Sequence, residues 1–165
     1  MSSGKLTITP LEGGAFFEVA GRANFETAMP LRDYCEKLTG RETVYFSMAE
    51  CAGVDSTFMG VMAMLALKAK RQNCSIHLAG ADSKIKSLLS GIGILKLFVQ
   101  HERIPDELKG GPASPLQDAG RSEADRAKTV LDAHETLVEA DGKNAEVFRQ
   151  VIDFAREDVE RLKKK

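Results

Sequence analysis

An acid and two hydroxyls stand in a row at Asp55-Ser56-Thr57. They lie between an apolar strand candidate, Val44-Tyr45-Phe46-Ser47-Met48, and an apolar helix predicted from about Thr57 to Gln72. A hydroxyl at such a junction can accept a phosphoryl group. The first turn of a helix points unpaired N–H groups and partial positive charge outward, which favours an anion. The same three residues also suit an ordinary helix cap. Nucleophilic catalysis is a further use of a hydroxyl, but it needs a base and an oxyanion hole. His77 and His101 are the bases to weigh for Ser56 or Thr57, and no spacing sets either beside them; a small α/β hydrolase is therefore only a third reading, with no catalytic residue assigned. His77, His101 and His134 lie on separate elements without ligand spacing, and Met59, Met62 and Met64 suit core packing. Neither a metal nor a cofactor is expected.

The elements around this junction alternate. Leu6 to Thr9 and Ala15 to Ala20 are strand candidates around a Glu12-Gly13-Gly14 turn, which predicts an antiparallel hairpin. Asn24 can cap a helix from about Phe25 to Leu38, where Phe25, Ala28, Leu31, Cys35 and Leu38 make an apolar stripe and Gly40 ends it. After the Thr57 to Gln72 helix come a strand at Cys74 to Ala79, a short helix with Ile85, Leu88 and Leu89 capped by Asp82 or Ser83, and a last short element at Leu97 to Val99. This order predicts an α/β domain with a four- to five-stranded mixed, largely parallel sheet and helices mainly on one face.

At 165 residues and 43% hydrophobic, the chain suffices for one core plus an appendage. A net charge of -1 and a pI near 6.3 lack the basic footprint of a nucleic-acid binder or a polybasic membrane anchor. Cys35, Cys51 and Cys74 are odd in number and sit among apolar neighbours, so they read as reduced. The first residues, Met1 to Thr7, carry no apolar signal segment, and the apolar run from Phe58 to Leu67 is too short to span a bilayer; a cytoplasmic protein is expected.

Three segments follow from composition: a domain over 1–103, a Pro/Gly-rich linker over 104–121 unable to sustain a helix or a strand ladder, and a charged extension over 122–165. Residues 121–165 hold 21 charged residues in 45 positions. Val130, Leu131, His134, Leu137 and Val138 form one helical stripe; Val147, Phe148, Val151, Ile152, Ala155, Val159 and Leu162 form another. A helical hairpin is predicted, broken at Asp141-Gly142-Lys143-Asn144, with Asn144 capping the second helix and Lys163-Lys164-Lys165 at its end. Two helices alone bury too little, so the hairpin must dock on the first domain, a second copy or a partner.

Three phrases occur together: Asp55-Ser56-Thr57-Phe58-Met59-Gly60; Ser75-Ile76-His77-Leu78 followed by Ile85 to Leu89; and Gly93-Ile94-Leu95-Lys96-Leu97-Phe98. With them, the stretch from Leu6 to about His101 resembles a STAS domain of the anti-sigma factor antagonist family. Phe58 stands where that family usually has Gly, and Asn24 where it often has Asp. The resemblance implies a STAS-like fold and a non-enzymatic regulatory role. Thr57 would be phosphorylated by a partner anti-sigma factor/serine-threonine kinase, with Ser56 the lesser candidate. Asp55 and Asn24 would support the phosphosite, and Ser56, Thr57, Phe58 and Met59 would meet the partner. The unphosphorylated form would bind the anti-sigma factor, and phosphate would weaken that contact. An alternative keeps the fold as an unphosphorylated scaffold or adaptor. Protein partners are expected in either case, including a homodimer through the C-terminal helices, with neither nucleic acid nor membrane.

Overall fold

The computed structural model describes residues 4–117 and 120–163. Strands β1 (Lys5–Leu11) and β2 (Gly14–Ala23) form the expected antiparallel hairpin, with Leu11 opposite Gly14. Only Glu12 and Gly13 remain for the loop, and Gly13 supplies the positive φ of 75° that so tight a turn requires. Helix α1 (Phe25–Lys37) returns the chain to β3 (Thr43–Val54), and α2 (Ser56–Arg71) returns it to β4 (Ser75–Ala79). Helix α3 (Ser83–Gly91) and a 3₁₀ turn at Leu95–Leu97 then lead to β5 (Val99–His101).

The sheet order is β5-β4-β3-β2-β1, extended by β6 (Ser114–Pro115) on the outer edge of β1. The segment from 104 to 117 is thus more than a linker. Pro115 lacks a donor, but an edge strand asks for none on its outer side, and two residues of pairing suffice to tie the segment down. Pairings β2–β3, β3–β4 and β4–β5 are parallel, as the intervening helices require.

One row across the sheet reads Ile8, Phe17, Phe46, Leu78, and these side chains face the helices. The next row reads Thr9, Phe16, Tyr45, His77, on the opposite face, where Gly111 packs against Thr9. Alternation at period two explains both rows. Between the helices and the first row lies the main core, with Leu31 from α1, Val61, Met62 and Leu65 from α2, and Ile85 and Leu89 from α3.

The C-terminal hairpin is α4 (Glu123–Ala140), a single turn α5 (Asn144–Val147), and α6 (Arg149–Lys163). Leu131 of α4 meets Ile152, Ala155 and Val159 of α6 in a small second cluster, while Val147 and Phe154 face outward. Asn144 does not cap the second helix. Its side chain is fully buried, and Nδ2 donates to the carbonyls of Ile92 and Leu137. Of the three terminal lysines, Lys164 and Lys165 lie outside the described residues, as do Met1 to Ser3.

Candidate functional site

Strands β2 and β3 end side by side: Ala23 pairs with Val54, and the Asp55 N–H donates to the Ala23 carbonyl at 2.9 Å. Register shifts between Glu18 and Ala20, and again between Gly21 and Arg22, bring these two ends level. The N-termini of α1 and α2 therefore emerge together at the carboxyl ends of two parallel strands, where α/β sheets commonly hold their sites.

Each helix is capped by its own side chain. Asn24 Oδ1 accepts from the N–H groups of Glu26 and Thr27, and the Thr27 hydroxyl completes a capping box with the Asn24 backbone. Asp55 Oδ1 accepts from the Phe58 N–H at 2.8 Å. The α1 cap thus takes up two of its helix's first N–H groups and the α2 cap one. Asn24 Oδ1 is engaged in capping α1.

Ser56 is the first residue of α2, one position earlier than expected, because Asp55 has extended backbone and takes the cap. Thr57 is 7% exposed. Phe58 is 0% exposed and sits in the main core, so a ring in place of a glycine turns inward. Met59 is buried too. Of the four residues expected to meet a partner, Phe58 and Met59 present no side chain to solvent in this arrangement. Both belong to the main apolar cluster, which accounts for their burial.

Helix α4 lies over this face. Ser56 Oγ and His134 Nε2 are 2.8 Å apart, and His134 is 1% exposed, with its Nδ1 2.7 Å from the Val130 carbonyl. A carbonyl can only accept, so Nδ1 carries a hydrogen. In a neutral imidazole, Nε2 is then bare and receives the Ser56 proton. One turn along α2, Gly60 packs on the Ala133 backbone so closely that a Cβ on Gly60 would stand 2.4 Å from the Ala133 oxygen. On α1, Arg32 Nη2 donates to Asp132 Oδ2 at 2.8 Å, with side chains 14% and 18% exposed, and Nη1 reaches Thr129. Arg121 pairs with Asp33 and Glu36, and Arg126 stacks over Phe25 at 4.5 Å.

His134 was legible only as one member of an apolar stripe; the signal available was a histidine where the other positions are Val or Leu. Ser56 and His134 have the spacing of a nucleophile and its base. The imidazole, however, has no solvent-facing side by which a substrate could reach it. His77 and His101 bond to each other instead, Nδ1 to Nε2 at 2.9 Å, on the sheet face away from the helices, with Tyr45 stacked on His77 at 4.4 Å. Burial pushes the His77 imidazole below its ordinary value, and the neighbouring His101 adds to this. Among the described residues no cluster of three or more His, Cys, Asp or Glu could hold a metal ion, and no helix is long and apolar enough to cross a membrane.

An antiparallel entry hairpin, a mostly parallel sheet with helices on one face, and α2 rising from the end of β3 define the STAS-like fold of anti-sigma factor antagonists. No protein-family model matches the chain, and no curated protein sequence matches it. Solved structures do. A provisionally assigned anti-sigma factor antagonist from Thermotoga maritima is similar with a TM-score of 0.53 at 12% identity, over 62% of this chain and 90% of its own. The anti-sigma factor antagonist SpoIIAA in its unphosphorylated form has a TM-score of 0.51 at 8% identity, over 62% and 92%. A sulfate transporter family protein from Wolinella succinogenes also scores 0.51, at 17% identity over 58% and 81%. These identities establish the fold. They also show it in proteins of different roles, and they leave more than a third of this chain unmatched.

Proposed function

We propose that the chain is a regulatory binding switch of the anti-sigma antagonist type. Unphosphorylated, it binds an anti-sigma factor that is also a serine/threonine kinase; phosphate on Thr57, or less favourably on Ser56, releases that partner. The observation that carries this reading is the Asp55-capped N-terminus of α2, with two hydroxyls in its first turn, on a fold shared with anti-sigma factor antagonists. A phosphate adds roughly -1.5 to -2 charge there, beside the Asp55 carboxylate. Repulsion and desolvation then oppose docking, while the helix end offsets part of the repulsion within the protein. The reading carries a cytoplasmic location and no catalysis by the chain itself. It leaves the exposed Val147 and Phe154 of the hairpin as the surface for a homodimer.

A second reading, an unphosphorylated scaffold or adaptor, is favoured by the burial of Thr57 and the engagement of Ser56 by His134. Capture from the native cell, with phosphate mapped by mass spectrometry, separates the two. The switch requires phosphate on Thr57, and a kinase held by wild type and Thr57→Ala but lost with Thr57→Asp. Identical captured proteins for all three forms, with no phosphate, would leave the scaffold. Loss of phosphate in Ser56→Ala but not in Thr57→Ala would move the site by one residue.

A further inference from the structure

We propose that α4 is a built-in occupant of a helix-docking surface formed by α1 and α2. An external partner then reaches the start of α2 only by displacing α4, and it does so with an amphipathic helix that sets a small residue opposite Gly60 and a carboxylate opposite Arg32. This deepens the reading above and rests on its assumption that the N-terminal face of α2 meets a partner.

The surface has three points of recognition, each now filled from α4. Gly60 is a notch that admits only a close backbone, and Ala133 fills it. Arg32 is a largely buried cation; Glu36 of its own helix accepts from its Nε, and Asp132 of α4 accepts from its Nη2. Ser56 offers a hydroxyl, and His134 receives it. Polar contacts are interleaved with apolar ones along the whole seam, from Arg121 with Asp33 through Arg126 over Phe25 to Ser56 with His134. The polar contacts give the seam a specificity that apolar burial alone lacks, while Ala133 and Leu137 of α4 are buried in the main core.

A partner competes with a tethered helix. Between Lys109 and Ser122 the described residues contain no helix, and only the two paired residues of β6. The covalent connection holds α4 near its site at an effective concentration on the order of millimolar, so a partner must outcompete that value. The surface cannot stand bare, because Ala133 and Leu137 of α4 are fully buried members of the main core. Replacement of one helix by another therefore costs much less than simple opening.

The full chain tests this with two variants confined to α4. Ala133→Glu drives a charged side chain against Gly60, and Asp132→Arg opposes Arg32. The exchanged pair Asp132→Arg with Arg32→Asp serves as rescue. Two quantities are read: amide hydrogen exchange in the first two turns of α2, and binding of a labelled synthetic peptide of residues 122–163. Both single variants should speed α2 exchange by about tenfold or more, leave β2 to β4 protected, and bind the peptide, whereas wild type and the rescue should not. Unchanged α2 protection, or a peptide that binds wild type as well as the variants, would overturn the proposal. So would an exposed α2 that takes no peptide. Protection lost throughout the sheet in both single variants would overturn it as well, since α4 would then be one core with the rest. None of these readouts involves phosphate or a kinase, so failure of the anti-sigma reading shows separately, in the capture experiment.

Discussion

Ser56 and His134, 78 positions apart in the chain, share a 2.8 Å hydrogen bond beneath the surface of α4. The Val130 carbonyl fixes the imidazole tautomer, and the Phe148 ring stands edge-on to it at 5.2 Å. His134→Ala removes a buried ring and leaves the Ser56 hydroxyl without its acceptor, at a cost of about 2–4 kcal/mol in urea unfolding. Ser56→Ala should cost about 1–2 kcal/mol. In the double variant the two losses should overlap by about 1 kcal/mol; strict additivity would mean that the bond contributes nothing.

Gly60→Ala runs against ordinary helix propensity. In an exposed helix interior the change gains about 1 kcal/mol. Here the new Cβ would lie 2.4 Å from the Ala133 oxygen and 2.6 Å from its carbonyl carbon, and both are backbone atoms that cannot swing aside. A net loss of about 1–3 kcal/mol is expected, seen as a lower melting temperature with faster exchange in α4. A rise in melting temperature would show that α4 does not press on this notch.

The α/β part was readable because its signals are local. The short apolar runs through Phe16-Phe17 and Tyr45-Phe46, the Gly13 turn, and the Asn24 and Asp55 caps each lie within a few residues of what they determine. The register shifts at the end of β2 carried no such mark. Nor did the edge strand at Ser114–Pro115, whose stability comes from β1 and not from its own composition. The site was half legible. Asp55, Ser56 and Thr57 announce themselves as a capped helix start, but the partners that α4 brings, His134 and Ala133, are joined to them only by tertiary packing. Asn144 shows the same limit, since a plausible cap by position became a buried clip once α3 was packed against it.

The His77 and His101 pair gives stability a pH dependence of definite sign. One ring must donate and the other accept across their 2.9 Å contact, so at least one of them is neutral. Burial, with His101 next, lowers the His77 pKa in the folded state, whereas the unfolded chain titrates near 6.5. The unfolded state therefore binds more protons below that point. Stability from this group is complete above about pH 6.5 and falls as pH drops toward the lower folded value. Urea midpoints between about pH 8 and pH 5 should decline for wild type, and less steeply for His77→Gln. Parallel declines would place the dependence on other groups.

Asn144 joins the hairpin corner to the end of α3. Its Nδ2 donates to Ile92 at 2.9 Å and to Leu137 at 2.7 Å, while its Oδ1 is buried without a hydrogen-bond partner among the described residues. Asn144→Ala leaves at least the Ile92 carbonyl short of a donor, and should cost about 1–3 kcal/mol. Asn144→Asp is the sharper test, because it replaces the donor with a carboxylate facing two carbonyls in a closed site. The ion must be protonated or expelled, and either is worse than a truncated side chain. Melting temperatures should therefore fall in the order wild type, Ala, Asp, with the Asp variant recovering part of its loss at low pH as the carboxyl takes up a proton. Amide exchange across Asp141 to Phe148 should rise first in both variants, while the Phe17 and Phe46 strands stay protected. An Asp variant as stable as wild type at neutral pH would mean that the corner opens to water, and that the clip does not hold the hairpin in place.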